Sequence, residues 1–165
     1  MKELSEKLLS LVRVAGPALS DTSDAEAAKP ILPGGWSSKQ VLGHLIDSAS
    51  NNHQRFVRAA LQPSLDFPGY DQAGSVRVQA AQEASWWLLV TLWSAYNHLL
   101  AHVIAQIPDS KLETPCRIGT AEPHSGLFGG GLRDPSGPSS QSTGRRRVGL
   151  KNAVRSRLPA LSESV

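Results

Sequence analysis

The stretch WWLLVTLWSAYNHLLAHVIAQI, residues 86–107, constrains this chain more than any other. It contains no Asp, Glu, Lys or Arg and is apolar on most sides, so it has to be covered by protein or by lipid. Its length approaches the roughly 20 residues that cross a bilayer. Asn97, His98, His102 and Gln106 interrupt it, however, and such groups are costly in hydrocarbon. The expectation is therefore a central bundle helix and no membrane span, with the helical pattern running from about Val76 to Ile107.

Two further helices are legible. Residues 2 to about 20 set Leu4, Leu8, Leu11 and Val12 at helical spacing, with Glu3, Glu6 and Lys7 on the other side and Pro17 expected to leave the end ragged. A loop follows over 21–35, where Pro, Gly and small polar residues crowd together. The next helix starts on a capping box. Ser37 caps, Gln40 three residues on reaches back, and Trp36 is placed to staple against Val41. Its apolar stripe is expected along Val41, Leu45, Ser48/Ala49, Asn52, Phe56 and Ala59. At about 100° per residue, His44 then lies some 60 to 100° to one side of Val41 and Leu45, in line with Ser48, Asn51 and Arg55. Residues 61–75 and 108–123 read as connections. The fold class is all-α.

Charge divides the chain in two. From Ser125 onward seven Lys/Arg stand against two acids, which leaves ten bases against twelve acids in the first 124 residues. A mildly acidic body removes most of the case for nucleic-acid binding, despite the overall charge of +3. The single cysteine, Cys116, excludes an intramolecular disulfide and any multi-cysteine zinc site, and it fits a reducing cytoplasm. The first sixteen residues mix charges into their apolar positions, unlike an export signal. The body is expected over 1–123. Residues 124–165 are expected to be a disordered, low-complexity basic tail, apart from a short helix near 149–158, because a segment rich in Gly, Ser and Pro buries too little surface to offset its ordering entropy.

GWSSKQVLGHLIDSASNNHQRF (35–56), FPGYDQ (67–72), LWSAYNHLLAHVIAQIP (92–108) and CRIGTAEP (116–123) together resemble the DinB-like superfamily, a bacterial family of metal-dependent four-helix bundles that includes thiol-dependent transferases and hydrolases. The resemblance implies a divalent metal, nickel or zinc, held by three histidines. One of these sits on the second helix in an H-L-x-D context, matched by His44-Leu45-Ile46-Asp47. The other two sit on the fourth helix in a stretch like D-Y-x-x-H-x-x-H-H-L. Three neutral imidazoles and an open position suit an ion that activates water or a thiol. The implied partners are a small-molecule or thiol substrate.

No such fourth-helix stretch follows Pro123. The tail is compatible with that helix read in a shifted frame. Residues 124–140, HSGLFGGGLRDPSGPSS, have a synonymous coding that translates as TLGCLVEDYVTHLDHHL once its first base is dropped. In each shifted codon only the wobble base is free to choose, so many specified positions match at once, and the coding DNA decides the question.

The candidate site is His44 as metal ligand with Asp47 orienting its ring; a hydrogen-bonded structural histidine and a solvated carboxylate are the plainer alternatives. His98 and His102, four apart, could share an ion but are expected on the helix surface or between helices, with Tyr96 and Asn97. His53 is expected on an outer face, His124 in the altered segment, and Trp86, Trp87 and Trp93 in the core. Three functions remain open: a metal enzyme by descent, incomplete and inactive without its fourth helix; a non-catalytic protein that dimerises through the exposed face of its third helix; and a nucleic-acid binder acting through Arg145, Arg146 and Arg147.

Overall fold

A computed structural model describes residues 1–119 and, as backbone, 124–125. The body is a helical bundle. Three long helices, α1 (Lys2–Ser20), α3 (Ser38–Leu61) and α5 (Trp86–Gln106), carry its mass. Two short ones, α2 (Asp24–Ala27) and α4 (Gln72–Gln79), and a small sheet of β1 (Leu65–Phe67), β2 (Pro115–Ile118) and β3 (His124–Ser125) fill the connections. The all-α class holds, and the expected tail lies outside the described residues except for the paired backbone of 124–125.

α5 occupies the centre, packed against both α1 and α3, which hardly touch each other. Trp86, Leu89, Trp93, Leu100, Ala101 and Ile104 are buried at spacings of three and four. The upper core joins Trp86, Leu89 and Trp93 to Val12, Ala15 and Leu19 of α1 and Leu42 of α3; the lower core joins Leu100, Ala101 and Ile104 to Leu8 and Ala49. Trp93 is 1% exposed. Truncating such a residue costs about 3–5 kcal/mol, against about 1 kcal/mol for a lost helix cap, so packing rather than capping fixes where α5 lies. Where α1 and α5 approach most closely the side chains are small, and Ser5 Oγ donates to the Ala101 carbonyl at 2.7 Å.

Some expectations are corrected. On α3 the expected Ser48, Ala49 and Ala59 are buried and Leu45 and Phe56 pack against the core, but Leu42 is buried in place of Val41, which is only half-buried. On α5, Trp86 and Trp93 are core but Trp87 is 74% exposed, since it lies about 100° round the helix from Trp86. Asn97 is buried, its Nδ2 donating to the Trp93 carbonyl at 2.8 Å. Pro17 does not fray α1. The helix runs on to Ser20, held by burial of Leu19, whose carbonyl accepts from Trp86 Nε1 at 2.8 Å.

The expected helix from 76 to 107 is in fact two. α4 begins earlier, with Asp71 capping Gly74 N–H at 2.9 Å, and ends at Ala80, whose φ of 47° is left-handed. A 3₁₀ turn at Ala81–Glu83 follows, and Ser85 caps α5. The break is required by a close approach: a Cβ on Gly43 would lie 2.5 Å from that of Ala81. Gln82 locks the junction by accepting from Ser37 Oγ at 2.6 Å and donating to the Ala28 carbonyl at 2.9 Å. The capping box of α3 forms as read, with Ser37 N–H donating to Gln40 Oε1 at 2.9 Å.

Exchanges between glycine and alanine at these two positions are expected to act in opposite directions. Ala80→Gly relieves a left-handed alanine and is expected to stabilise by up to about 1 kcal/mol. Gly43→Ala inserts a methyl against Ala81 and is expected to destabilise by about 1–3 kcal/mol. Urea unfolding of the two variants beside the parent measures both.

Candidate metal centre

The site is built on the face of α3 that the core does not use. Leu42 and Ala49 point into the core, and His44, Asp47, Asn51 and Arg55 follow one another along a different, half-buried face. This polar face meets the loop after β1. That loop is placed by a glycine crossing: Gly119, at φ +65°, donates its N–H to the Phe67 carbonyl at 2.9 Å, and a Cβ on Gly69 would lie 3.2 Å from Gly119 Cα. The parallel pairing of β1 with β2, Leu65 opposite Cys116 and Phe67 opposite Ile118, holds both glycines in register. Tyr70 follows directly.

Among the described residues four buried side-chain polar atoms have no hydrogen-bond partner: His44 Nδ1, Asp47 Oδ2, Arg55 Nε and the Tyr70 hydroxyl. Three belong to this face of α3, and the fourth is electrostatically coupled to two of them, Asp47 and Arg55. Unpaired buried polar atoms cost about 1–3 kcal/mol each, so three along one face of a helix, with a fourth coupled to them, mark that face as shaped for something other than stability.

The surroundings set the charge states. Burial lowers the His44 pKa from its ordinary 6.5, with the Asp47 carboxylate partly opposing, so the ring is held neutral as a metal ligand requires. Burial raises the Tyr70 pKa; the charge of Asp47 adds to this and Arg55 works against it. Burial likewise works against the charge of Arg55, with Tyr70 opposing. Asn51 Nδ2 donates to Asp47 at 3.0 Å on the backbone oxygen and 3.4 Å on Oδ1, leaving Oδ2 free. Trp36, expected to staple against Val41, has its ring 5.7 Å from that of His44 and forms one wall.

His53, His98 and His102 do not join this site. His53 is not on an outer face: it lies between helices, its Nδ1 3.1 Å from the Tyr96 hydroxyl. His98 and His102 are on the exposed side of α5, and His98 Nδ1 is 2.7 Å from the Ser94 carbonyl one turn back. Cys116 is buried, its thiol pushed up by burial and donating to the Thr114 carbonyl at 3.3 Å, so it supplies neither nucleophile nor ligand. No group of three His, Cys, Asp or Glu side chains that could hold an ion occurs among the described residues. His44 and Asp47 do not by themselves make such a group, and no chemical step through a metal follows from them.

Arg55 was legible only as being in line with His44, and Tyr70 only as part of FPGYDQ. The signal that joins them is a tyrosine in a Pro/Gly/Asp loop immediately after the site helix.

No family model and no curated protein matches the chain. A solved structure does. The fold is similar to that of YfiT from Bacillus subtilis, described as a probable metal-dependent hydrolase with an unusual four-helix bundle topology. The TM-score is 0.63 at 19% identity, over 76% of this chain and 74% of YfiT. At this identity the likeness shows a shared fold, a helical bundle of the kind YfiT has.

A histidine held neutral by the fold takes up fewer protons than the same residue in the unfolded chain. With chelator present, stability is therefore expected to be fully retained above about pH 6.5 and to fall as the pH drops from there to the folded-state pKa of His44. His44→Gln is expected to flatten that part of the curve, as read by chemical unfolding between pH 5 and 7.5, roughly the histidine range.

Proposed function

We propose that this chain descends from a metal-dependent hydrolase or thiol transferase built on the DinB-like bundle and retains one of its three metal ligands, His44, with Asp47, which makes no hydrogen bond to the ring in this structure, as the carboxylate available to orient it. The observation that carries the reading is the pair of unpartnered buried atoms, His44 Nδ1 and Asp47 Oδ2, one turn apart on α3 in a YfiT-like fold. A nickel or zinc ion, when bound, would supply Lewis-acid polarisation of the bond under attack. The residues of this chain hold the ring neutral, aim it away from the core and wall it with Trp36.

The two remaining ligands belong, in this proposal, to the shifted frame across residues 124–140, so the chain as translated is inactive. Purified chain is expected to carry far less than stoichiometric nickel or zinc by elemental analysis. The shifted-frame protein is expected to bind the metal near-stoichiometrically and to lose it in His44→Ala. Near-stoichiometric metal in the present chain that survives His44→Ala, or coding DNA that cannot give TLGCLVEDYVTHLDHHL one base over, overturns the proposal. A reducing cytoplasm, consistent with the single buried thiol, is part of the same reading.

One observation favours a second reading, a non-catalytic homodimer. Trp87, Leu88, Leu92 and Leu99 are large apolar side chains exposed along the outer side of the chargeless α5. This helix also meets the length and hydropathy of a membrane span, with a third of its most apolar window buried in the fold. If the dimer forms, light scattering of the detergent-free protein gives twice the chain mass, and the double change Leu92→Glu, Leu99→Glu returns it to the monomer.

A further inference from the structure

We propose that Arg55 and Tyr70 form a binding site for a carboxylate group of the substrate, on the same face of α3 as His44. The inference rests on the reading of that face as a former active site and deepens it by naming a substrate class, a small molecule with a carboxylate at one end.

The guanidinium of Arg55 is built in on two sides. Its Nη1 donates to Asn52 Oδ1 at 3.0 Å, and its plane sits over the Phe67 ring with Cζ 5.2 Å from the ring centroid. Nη1 is therefore engaged while Nε, buried and without a partner, is left over. The Nε edge of a guanidinium presents parallel N–H bonds at the spacing of the two oxygens of a carboxylate. Arg58 reaches the same ring, its Cζ 5.8 Å from the centroid, and adds positive potential without occupying that edge. Tyr70 supplies a second buried O–H with no partner. Two unfilled donors, one of them charged, call for an acceptor with more than one oxygen. Asp47 and His44 carry charge or polar atoms on the same face. The Asp47 carboxylate opposes an anion beside it, so a carboxylate of the ligand belongs at Arg55, at the far end of the face from His44.

Spacing along the helix gives the ligand's reach. His44 and Arg55 are eleven residues apart, about 16 Å along the axis. Arginine side chains lean toward the helix N-terminus, which shortens this. The fit is an extended small molecule whose carboxylate end is separated from its reacting end by several bonds.

The test uses the full chain, ¹⁵N-labelled, with chelator present, and reads the Arg55 Nε–Hε resonance during titration with glutarate, glutaramide and inorganic phosphate in parallel. Glutarate is expected to give a saturable shift, glutaramide none, and phosphate weaker binding, because the two donors leave its further charged oxygens desolvated without partners. Arg55→Lys keeps the charge and loses the edge, and is expected to weaken glutarate about tenfold or more, read from displaced amide resonances. Tyr70→Phe removes one hydroxyl and is expected to weaken it about threefold to tenfold, a second readout should Arg55→Lys fail to fold. The titration is run with chelator present and the metal content is read separately by elemental analysis, so failure of the metal reading and failure of this one are distinguished. No saturable shift with glutarate, equal shifts with glutaramide, phosphate binding as tightly as glutarate, or unchanged affinity in Tyr70→Phe overturns the proposal.

Discussion

The burial of α5 between α1 and α3 is the constraint on which the other elements depend. α5 has 21 residues and no formal charge, and two flanking helices cover its line from Trp86 to Ile104 while Trp87, Leu88, Leu92 and Leu99 stay exposed. Its start is pinned by polar contacts that only make sense once it is central. Asp24, on α2, accepts the first backbone N–H of α5 at 2.7 Å and pairs with Lys39 of α3 at 2.9 Å. Lys39 is 5% exposed and has its charge matched there, while Asp24 stays largely in water. The hydrogen bonds from Lys39, and then from Trp86 N–H, hold the Asp24 carboxyl below its ordinary range. One carboxylate thus ties α2, α3 and α5 at a single corner, and Trp86 Nε1 brings in the end of α1.

With α5 taking one side of α3, the other side is free to be polar. A helix whose two faces both served the core would have no use for His44, Asp47, Asn51 and Arg55 in succession. The cost of leaving four buried atoms unpaired is borne by a core of large aromatic and aliphatic side chains, which is the usual relation between a stable scaffold and a site shaped for binding. The small sheet matters for the same reason. It adds little buried area, but by holding the loop after β1 it sets Tyr70 against α3.

How much of this was readable follows the distance over which each feature is decided. The capping box at Ser37 and Gln40 is a matter of three residues, and it formed as read. The four-residue relation of His44 to Asp47 is equally local. Helical phase is less secure: a rotation of about 100° separates a buried Trp86 from an exposed Trp87, and a chain apolar on most sides gives no periodic signal to choose between them. For that reason His53 was also misplaced, being polar but turned inward onto Tyr96.

By itself the sequence determined the fold class, the central place of residues 86–107, the start of α3 and the spacing of His44 and Asp47 on it, because each rests on composition or on contacts within one or two turns. Only the tertiary structure decided that the helix breaks at Ala80, since the cause is the approach of Ala81 to Gly43 from a remote part of the chain. It alone brought Tyr70 to the His44 face, since that depends on two glycines fifty residues apart, Gly69 and Gly119, crossing without side chains. Local contacts are written in neighbouring letters. Close approaches between distant segments are fixed by which small residues happen to meet, and no single stretch of sequence records that.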